Sequence, residues 1–413
     1  MNVNADSVRG FQDFLPPESE KRTEVRKIME KNFRRYGFTP IESPVIEFDE
    51  LLRSDVLERE YEAVYNRFKL RDRSGRNLGL RYELILQLAR IFKQNPNIKV
   101  PARFFQIGQV FRDEPGGSEK FRQITQCNAD IIGDSTTLAD VECLAMLSNI
   151  LKECKIEAEI QVNNRRLIIN IIESVEIKNV KGVMGELDKK GKIEEDLIKA
   201  NLKKYADSNQ IITLFKLLEK DFSFFKENAF EGVIELESLM LKSRRCGVLL
   251  KFNPFIVGGL GYYTGNIFEV VYQDKVSLAD GGRYEKLVGK YLRKEISAFG
   301  ISLGLEKISQ LAKVEIQPIQ VMIISLEKEL ETLKLAKMLR EIGLSCFPLF
   351  EDIDKSLEIA NQLKVSYVVF VGGEETKIGK YKLKEMVSGI EEILTEKQLV
   401  EKFVKTKLLK REL

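Results

Sequence analysis

Histidine and tryptophan are both absent from the 413 residues, and cysteine occurs only five times. Without histidine the commonest general base and the commonest metal ligand are missing, which disfavours Ser-His-Asp and Cys-His nucleophilic catalysis and most zinc enzymes. Cys127, Cys143, Cys154, Cys246 and Cys346 stand far apart, with no CxxC pair and an odd count, so no disulfide framework or zinc site is expected. No apolar run approaches the roughly 18 residues of a membrane span. The N-terminus MNVNADSVRGFQDF carries charge where a secretory signal needs an uninterrupted apolar core, so the expected address is the cytoplasm, with no membrane partner. Net charge is only +3 from 66 basic and 63 acidic side chains, which neither demands nor excludes a nucleic-acid partner. The chemistry must therefore come from arginines, carboxylates, hydroxyls or a bound magnesium nucleotide.

What is present fits a folded chain of two or three domains, with 44% hydrophobic and 31% charged residues. Pro16 and Pro17 open a helix in which Val25, Ile28, Met29, Phe33 and Tyr36 repeat at helical spacing and Gly37 supplies the stop. FTPIESPVIEF, with prolines at 40 and 44, suits an edge or interface strand. RFKLRDRSGRNLGLRYELI predicts a hairpin turning at 73–76, and ARFFQIGQVFRDEP and CNADIIG predict further strands. From about 155 to 250 the pattern becomes helical and lysine-rich, as expected of an inserted module. Strand character returns in NIFEVVYQ, VSLADGGRY and SAFGISLGLEKI, which predicts one discontinuous, mainly antiparallel sheet. After a boundary near Gln317-Pro318, strand and helix alternate from VMIIS through CFPLF to YVVFVGG, the pattern of a small α/β domain with buried parallel strands.

Two stretches could carry chemistry. FRDEPGGSEKFRQITQC sets Arg112 and Glu114 at a strand end, a glycine-containing loop with Glu119 and Lys120, and Arg122 and Gln126 on the returning strand. Such a loop can fold an arginine over a polyphosphate and keep a carboxylate and an amide for a base or an amine. SAFGISLGLEKI ends a strand in small residues, which let a flat ligand approach the backbone, just before Glu306 and Lys307. A third stretch, GGLGYYTGNIFEV, places Tyr262 and Tyr263 side by side among glycines.

In order along nearly the whole chain, these stretches resemble the class II aminoacyl-tRNA synthetases, and among them the histidyl-tRNA synthetases. YGFTPIESPVIE resembles the dimer-interface motif 1, LRYELILQLAR the amino-acid loop, FRDEPGGSEKFRQITQCNADIIG motif 2, and FGISLGLEKI motif 3. GLGYYTGNIFEV and GGRYEKLVG resemble the histidine-specific segments. The resemblance implies an α+β fold, a class II antiparallel sheet core over 1–155 and 251–316, with a helical insertion at 156–250 and an anticodon-binding-like α/β domain at 319–413. It implies a homodimer that binds tRNA and histidine and uses ATP with Mg2+. The implied reaction forms histidyl-adenylate and pyrophosphate, then transfers histidine to the terminal ribose of tRNA. Residue by residue, it implies that Glu83, Gln126 and Asp130 hold the amino group and imidazole and that Tyr262 and Tyr263 close the amino-acid pocket. Arg112 would meet the α-phosphate as a catalytic cation, Glu114 would sit near adenine and metal, and Arg122 and Lys307 would complete the nucleotide site. Basic clusters at Lys203-Lys204 and from Lys405 to Arg411 could touch phosphate backbone.

Four positions depart from that pattern. Gly258 stands where the family expects an arginine, Gly261 where it has an acid, Ile85 where it has a hydroxyl, and Lys307 where motif 3 ends in arginine. Loss of one preorganised donor costs about 10²- to 10³-fold in rate by analogy with oxyanion holes. Arg283 in GGRY is the nearest candidate to substitute for the missing guanidinium. The departures leave a second expectation beside the ligase: a weak or inactive synthetase-like paralogue that senses histidine or tRNA.

Overall fold

The computed structural model describes residues 5–53, 66–113, 121–191, 193–259, 261–273, 276–316 and 320–409. Glu114, Glu119, Lys120 and Arg411 lie outside the described residues. The chain divides into two compact units, Met1–Val314 and Glu315–Leu413.

The first unit is organised on an eight-stranded sheet. Its strands are β1 (Thr39–Pro40), β5 (Ala102–Phe111), β6 (Gln123–Ile132), β7 (Glu159–Asn164), β8 (Leu250–Phe252), β9 (Tyr263–Tyr272), β10 (Val276–Tyr284) and β11 (Ala298–Gly304). They run in the order β1-β5-β6-β11-β10-β9-β7-β8. The two outer pairs are parallel and every inner pair is antiparallel. The proline-bearing segment does take an edge, because Pro40 has no amide hydrogen for a central ladder. A separate three-stranded sheet joins β2 (Ile46–Phe48), β3 (Lys69–Arg71) and β4 (Asn77–Leu80) in the order β2-β4-β3. The β3–β4 turn holds Gly75 at φ +77, a left-handed conformation that suits glycine.

Helix Glu18–Arg35 buries Val25, Met29 and Phe33, the apolar stripe its spacing predicts, while Ile28 and Tyr36 pack part-buried against the same core. Helix Thr137–Glu153 and the sheet face carrying Phe268, Phe299, Ile301 and Leu303 complete that layer. The lysine-rich block begins as a strand, β7, and becomes helical from Arg165 to Arg245. Ile160 and Val162 alternate with polar neighbours and pair with Val270 and Phe268 of β9. This two-residue apolar alternation is too short to stand out beside the helical segments that follow.

The second unit holds β12 (Val321–Ser325), β13 (Cys346–Leu349), β14 (Tyr367–Val371), β15 (Lys380–Glu385) and β16 (Glu391–Thr395), ordered β13-β12-β14-β15-β16. The first three are parallel, as the strand-helix alternation predicts. An antiparallel pair, β15 and β16, extends the sheet on the other side. All five cysteines are free. Among the described residues, no helix is long and apolar enough to cross a membrane.

Candidate functional site

Strand register brings the candidate residues together. On β6, Gln126, Asn128 and Asp130 sit opposite Gly304, Ser302 and Gly300 of β11, and Ser302 in turn faces Asp280 of β10. Alternate strand residues share a face, so one side of the sheet presents Gln126, Asn128, Asp130, Ser302 and Asp280 together. Gly300 lies in the middle of this floor, and a Cβ there would run into the Asp130 carboxyl.

Above the floor is a cleft with about 420 Å³ of empty space, its open mouth included. Glu83 and Ile85 enter from the segment before helix Leu86–Gln94, and Arg112 enters just beyond β5. Tyr262, Tyr263 and Tyr284 form an aromatic wall. The rings of Tyr262 and Tyr263 are 4.7 Å apart, and Tyr284 meets Tyr262 edge-on at 5.8 Å. Both members of the tyrosine pair are buried.

The polar groups of the cleft are short of donors. Glu83 is 4% exposed and Asn128 5%. Glu83 Oε1, Gln126 Oε1 and Asn128 Oδ1 are all buried without a hydrogen-bond partner among the described residues. Each unpaired acceptor costs about 1–3 kcal/mol, which a ligand carrying several N–H donors would recover. Burial pushes the Glu83 carboxyl up to about 8; Arg112 pulls it down and Asp280 pushes it further up. Burial also raises Asp130 to about 7, against a 2.7 Å hydrogen bond donated by the Tyr284 hydroxyl. Asp280 keeps a solvent-exposed face, and desolvation by the cleft walls with Glu269 nearby moves its carboxyl upward. Arg112 is the one cation among the described residues lining the cleft, and its Nε makes a long 3.5 Å contact to the Tyr82 carbonyl.

Other expected residues fall elsewhere. Arg122 does not line the cleft; its guanidinium pairs with Asp113, lies 4.8 Å from the centre of the Phe68 ring and reaches the Arg9 carbonyl. Lys307 is exposed and donates to the Ser277 carbonyl at 2.8 Å, beside the cleft rather than in it. Its neighbour Glu306 is buried and accepts from Thr125 N at 3.0 and 3.1 Å and from Arg22 at 2.9 Å, tying its helix to β6 and the first helix. Arg283 cannot stand in for an arginine at 258. Strand alternation points it to the face opposite Tyr284, where it pairs with buried Asp140 and donates to Ser297 Oγ at 2.7 Å and the Thr136 carbonyl at 2.8 Å. At Gly258 itself the backbone is left-handed, φ +69, and a Cβ would meet Tyr263 Cδ2 at 2.9 Å.

Sequence reasoning misses Asn128, Asp280 and the hydroxyl role of Tyr284. Asn128 has a signal, since QITQCNAD alternates polar residues at 126, 128 and 130 on one strand face. Asp280 has none of that clarity, because β10 is bulged on both sides of it, between Ser277 and Ala279 and between Gly282 and Tyr284.

The comparisons with known proteins agree with this architecture. The family model described as histidyl-tRNA synthetase matches residues 10–308. Histidine–tRNA ligase 2 of Shouchella clausii is 32% identical over 94% of this chain and 97% of its own. Histidine–tRNA ligase 1 of Bacillus cereus is 31% identical over 93% of this chain and 94% of its own. The crystal structure of histidyl-tRNA synthetase from Nostoc sp. PCC 7120 superposes with a TM-score of 0.83 at 25% identity, covering 98% of this chain and all of that one. A donor-hungry pocket on a class II sheet, a family match through both halves of that sheet and full-length relatives above 30% identity together place this chain in the histidyl-tRNA synthetase family.

Proposed function

We propose that the chain is a histidine–tRNA ligase that activates histidine with ATP in this cleft and passes it to tRNA. The observation that carries the reading is the set of three orphaned acceptors, Glu83 Oε1, Gln126 Oε1 and Asn128 Oδ1, beside the Asp130–Tyr284 pair. An α-ammonium brings three N–H donors to Glu83 and Gln126, and an imidazole N–H meets Asp130. Tyr284 holds the Asp130 carboxyl in place by its hydroxyl, and the Tyr262–Tyr263 wall selects a small flat ring by shape.

Adenylation needs a cation at the α-phosphate and close positioning more than a protein base, so the lack of histidine is no obstacle. Arg112 takes the α-phosphate role. Mg2+ arrives with ATP as part of the substrate, and Glu114, two residues further along the sequence, is the carboxylate assigned to meet it. Arg122 and Lys307 act at the margin of the nucleotide site, Arg122 through its pairing with Asp113 and Lys307 through the field it adds beside Asp280. The unit Glu315–Leu413 reads the anticodon, the motif 1 segment pairs two copies into a homodimer, and the enzyme works in the cytoplasm.

The experiment is ATP–pyrophosphate exchange with each amino acid in turn. Exchange supported by histidine above all others sustains the reading, and exchange with a different amino acid, or with none, overturns it. Gly258, Ile85 in the cleft lining and Lys307 beside the cleft favour the second reading, a synthetase-like paralogue that senses histidine or tRNA with little ligase activity. Histidine binding without exchange would select it.

A further inference from the structure

We infer that Asn163 and Arg165, at the junction of β7 and helix Arg165–Ser174, are positioning residues that set the tyrosine wall through the loop 253–259. The inference rests on the ligase reading for the identity of the ligand and on nothing else in it. Asn163 Nδ2 donates to the Pro254 carbonyl at 3.1 Å and the Ile256 carbonyl at 2.8 Å. Arg165 Nη1 donates to the Val257 carbonyl and, at 2.9 Å, to the Gly258 carbonyl. Both side chains are buried, Arg165 at 7% exposure. The start of the loop is held from the same strand, since Asn253 Nδ2 donates to Gln161 Oε1 at 2.7 Å and Asn253 N to the Val162 carbonyl at 3.0 Å.

The mechanical path to the cleft is short. A peptide unit is planar and trans, so turning the Val257 and Gly258 carbonyls toward one guanidinium fixes the two peptide planes that flank Gly258. That sets the left-handed backbone at Gly258, where even a Cβ would come within 2.9 Å of Tyr263 Cδ2 and 3.4 Å of Ile267 Cγ2. Tyr263 in turn packs on Tyr262. A guanidinium spans two neighbouring carbonyls with fixed donors, which an ammonium on a flexible stem does less well. The same helix start ties the loop to the helical block, because Arg166 Nη2 donates to Glu235 at 3.0 Å on helix Val233–Arg245. Asn163 and Arg165 thus act on substrate through the tyrosines and touch none of it themselves.

The test uses the full chain with R165M, R165K and N163A beside the wild type. Pyrophosphate exchange would give the KM for histidine and for ATP, thermal unfolding would give the midpoint, and hydrogen–deuterium exchange would follow peptides spanning 255–263. R165M and N163A are expected to raise the histidine KM by about 10- to 100-fold and leave the ATP KM within about twofold, with R165K losing less than R165M. Exchange in 255–263 should accelerate while the rest of the sheet stays protected. The inference fails if folded variants keep the wild-type histidine KM and protection. It fails equally if the KM for ATP rises as much as that for histidine while kcat and the midpoint fall, which is what general disruption of the fold gives. Should the wild type show no exchange with histidine, the ligase reading falls, and deuterium uptake in 255–263 still decides the positioning claim.

Discussion

Glu83→Gln should stabilise the ligand-free protein and abolish its affinity for histidine. The carboxyl is buried and raised from its usual 4.5 to about 8, so the folded state keeps this proton longer than the unfolded state does. Its penalty on folding is absent below the ordinary value, grows with pH through the interval, and levels off above about 8. At 1.36 kcal/mol per unit, up to about 3 kcal/mol accrues between pH 6 and pH 8.5, and relaxation with water entry reduces this to about 1–2 kcal/mol. The glutamine keeps the shape and cannot ionise, so wild type should lose this much relative to E83Q across the interval. Urea unfolding at the two pH values, followed by far-UV circular dichroism, measures it. Asp130 and Asp280 repel the Glu83 carboxylate and titrate in the same interval, so the difference reads Glu83 together with its coupling to them, while the second unit, common to both proteins, cancels. No histidine titrates in this window, so the buried carboxyls account for its pH dependence. Parallel stabilities for the two proteins at both pH values would refute the claim that Glu83 is desolvated and waiting for a cation.

Tyr284→Phe removes the 2.7 Å donor to Asp130 and should raise the histidine KM about 10- to 100-fold with little change for ATP, as read by pyrophosphate exchange. Asp280→Asn removes an anion close to Arg112, which the nucleotide needs; the KM for ATP should fall about 2- to 5-fold, the small effect expected of a solvent-exposed charge. Gly258→Arg supplies the arginine that the sequence resemblance leads one to expect, on a backbone at φ +69 where a Cβ would meet Tyr263 Cδ2 at 2.9 Å, so it should cost about 1–3 kcal/mol in thermal stability and leave exchange unimproved. A tenfold gain in exchange by G258R at unchanged midpoint would show that the loop accepts a side chain freely.

The sheet strands on both sides of the helical block, the first helix and the alternating second unit were legible because each carries several turns or residues of one period, as in Val25, Met29 and Phe33. The cleft was legible in part for the same reason: Gln126 and Asp130 share a strand face with Asn128, and the adjacent tyrosines were visible as a pair. What stayed hidden depends on long-range register. The spacing of Arg112 and Arg122 around their loop could not reveal that the Arg122 guanidinium is taken by Asp113 and Phe68. Nothing local to GGRY shows that Arg283 faces Asp140, 143 residues away in sequence. Asn163 and Arg165 stand at a strand end that the lysine-rich pattern concealed, and their partners lie about ninety residues on.

The most direct test of the central claim is equilibrium dialysis of labelled histidine against the wild type and the Glu83→Gln, Asp130→Asn double variant at pH 8. Saturable one-site binding by the wild type, weakened at least about 100-fold in the folded double variant, is the predicted result. Equal binding by both proteins, or none by either, would contradict the assignment of this cleft to histidine.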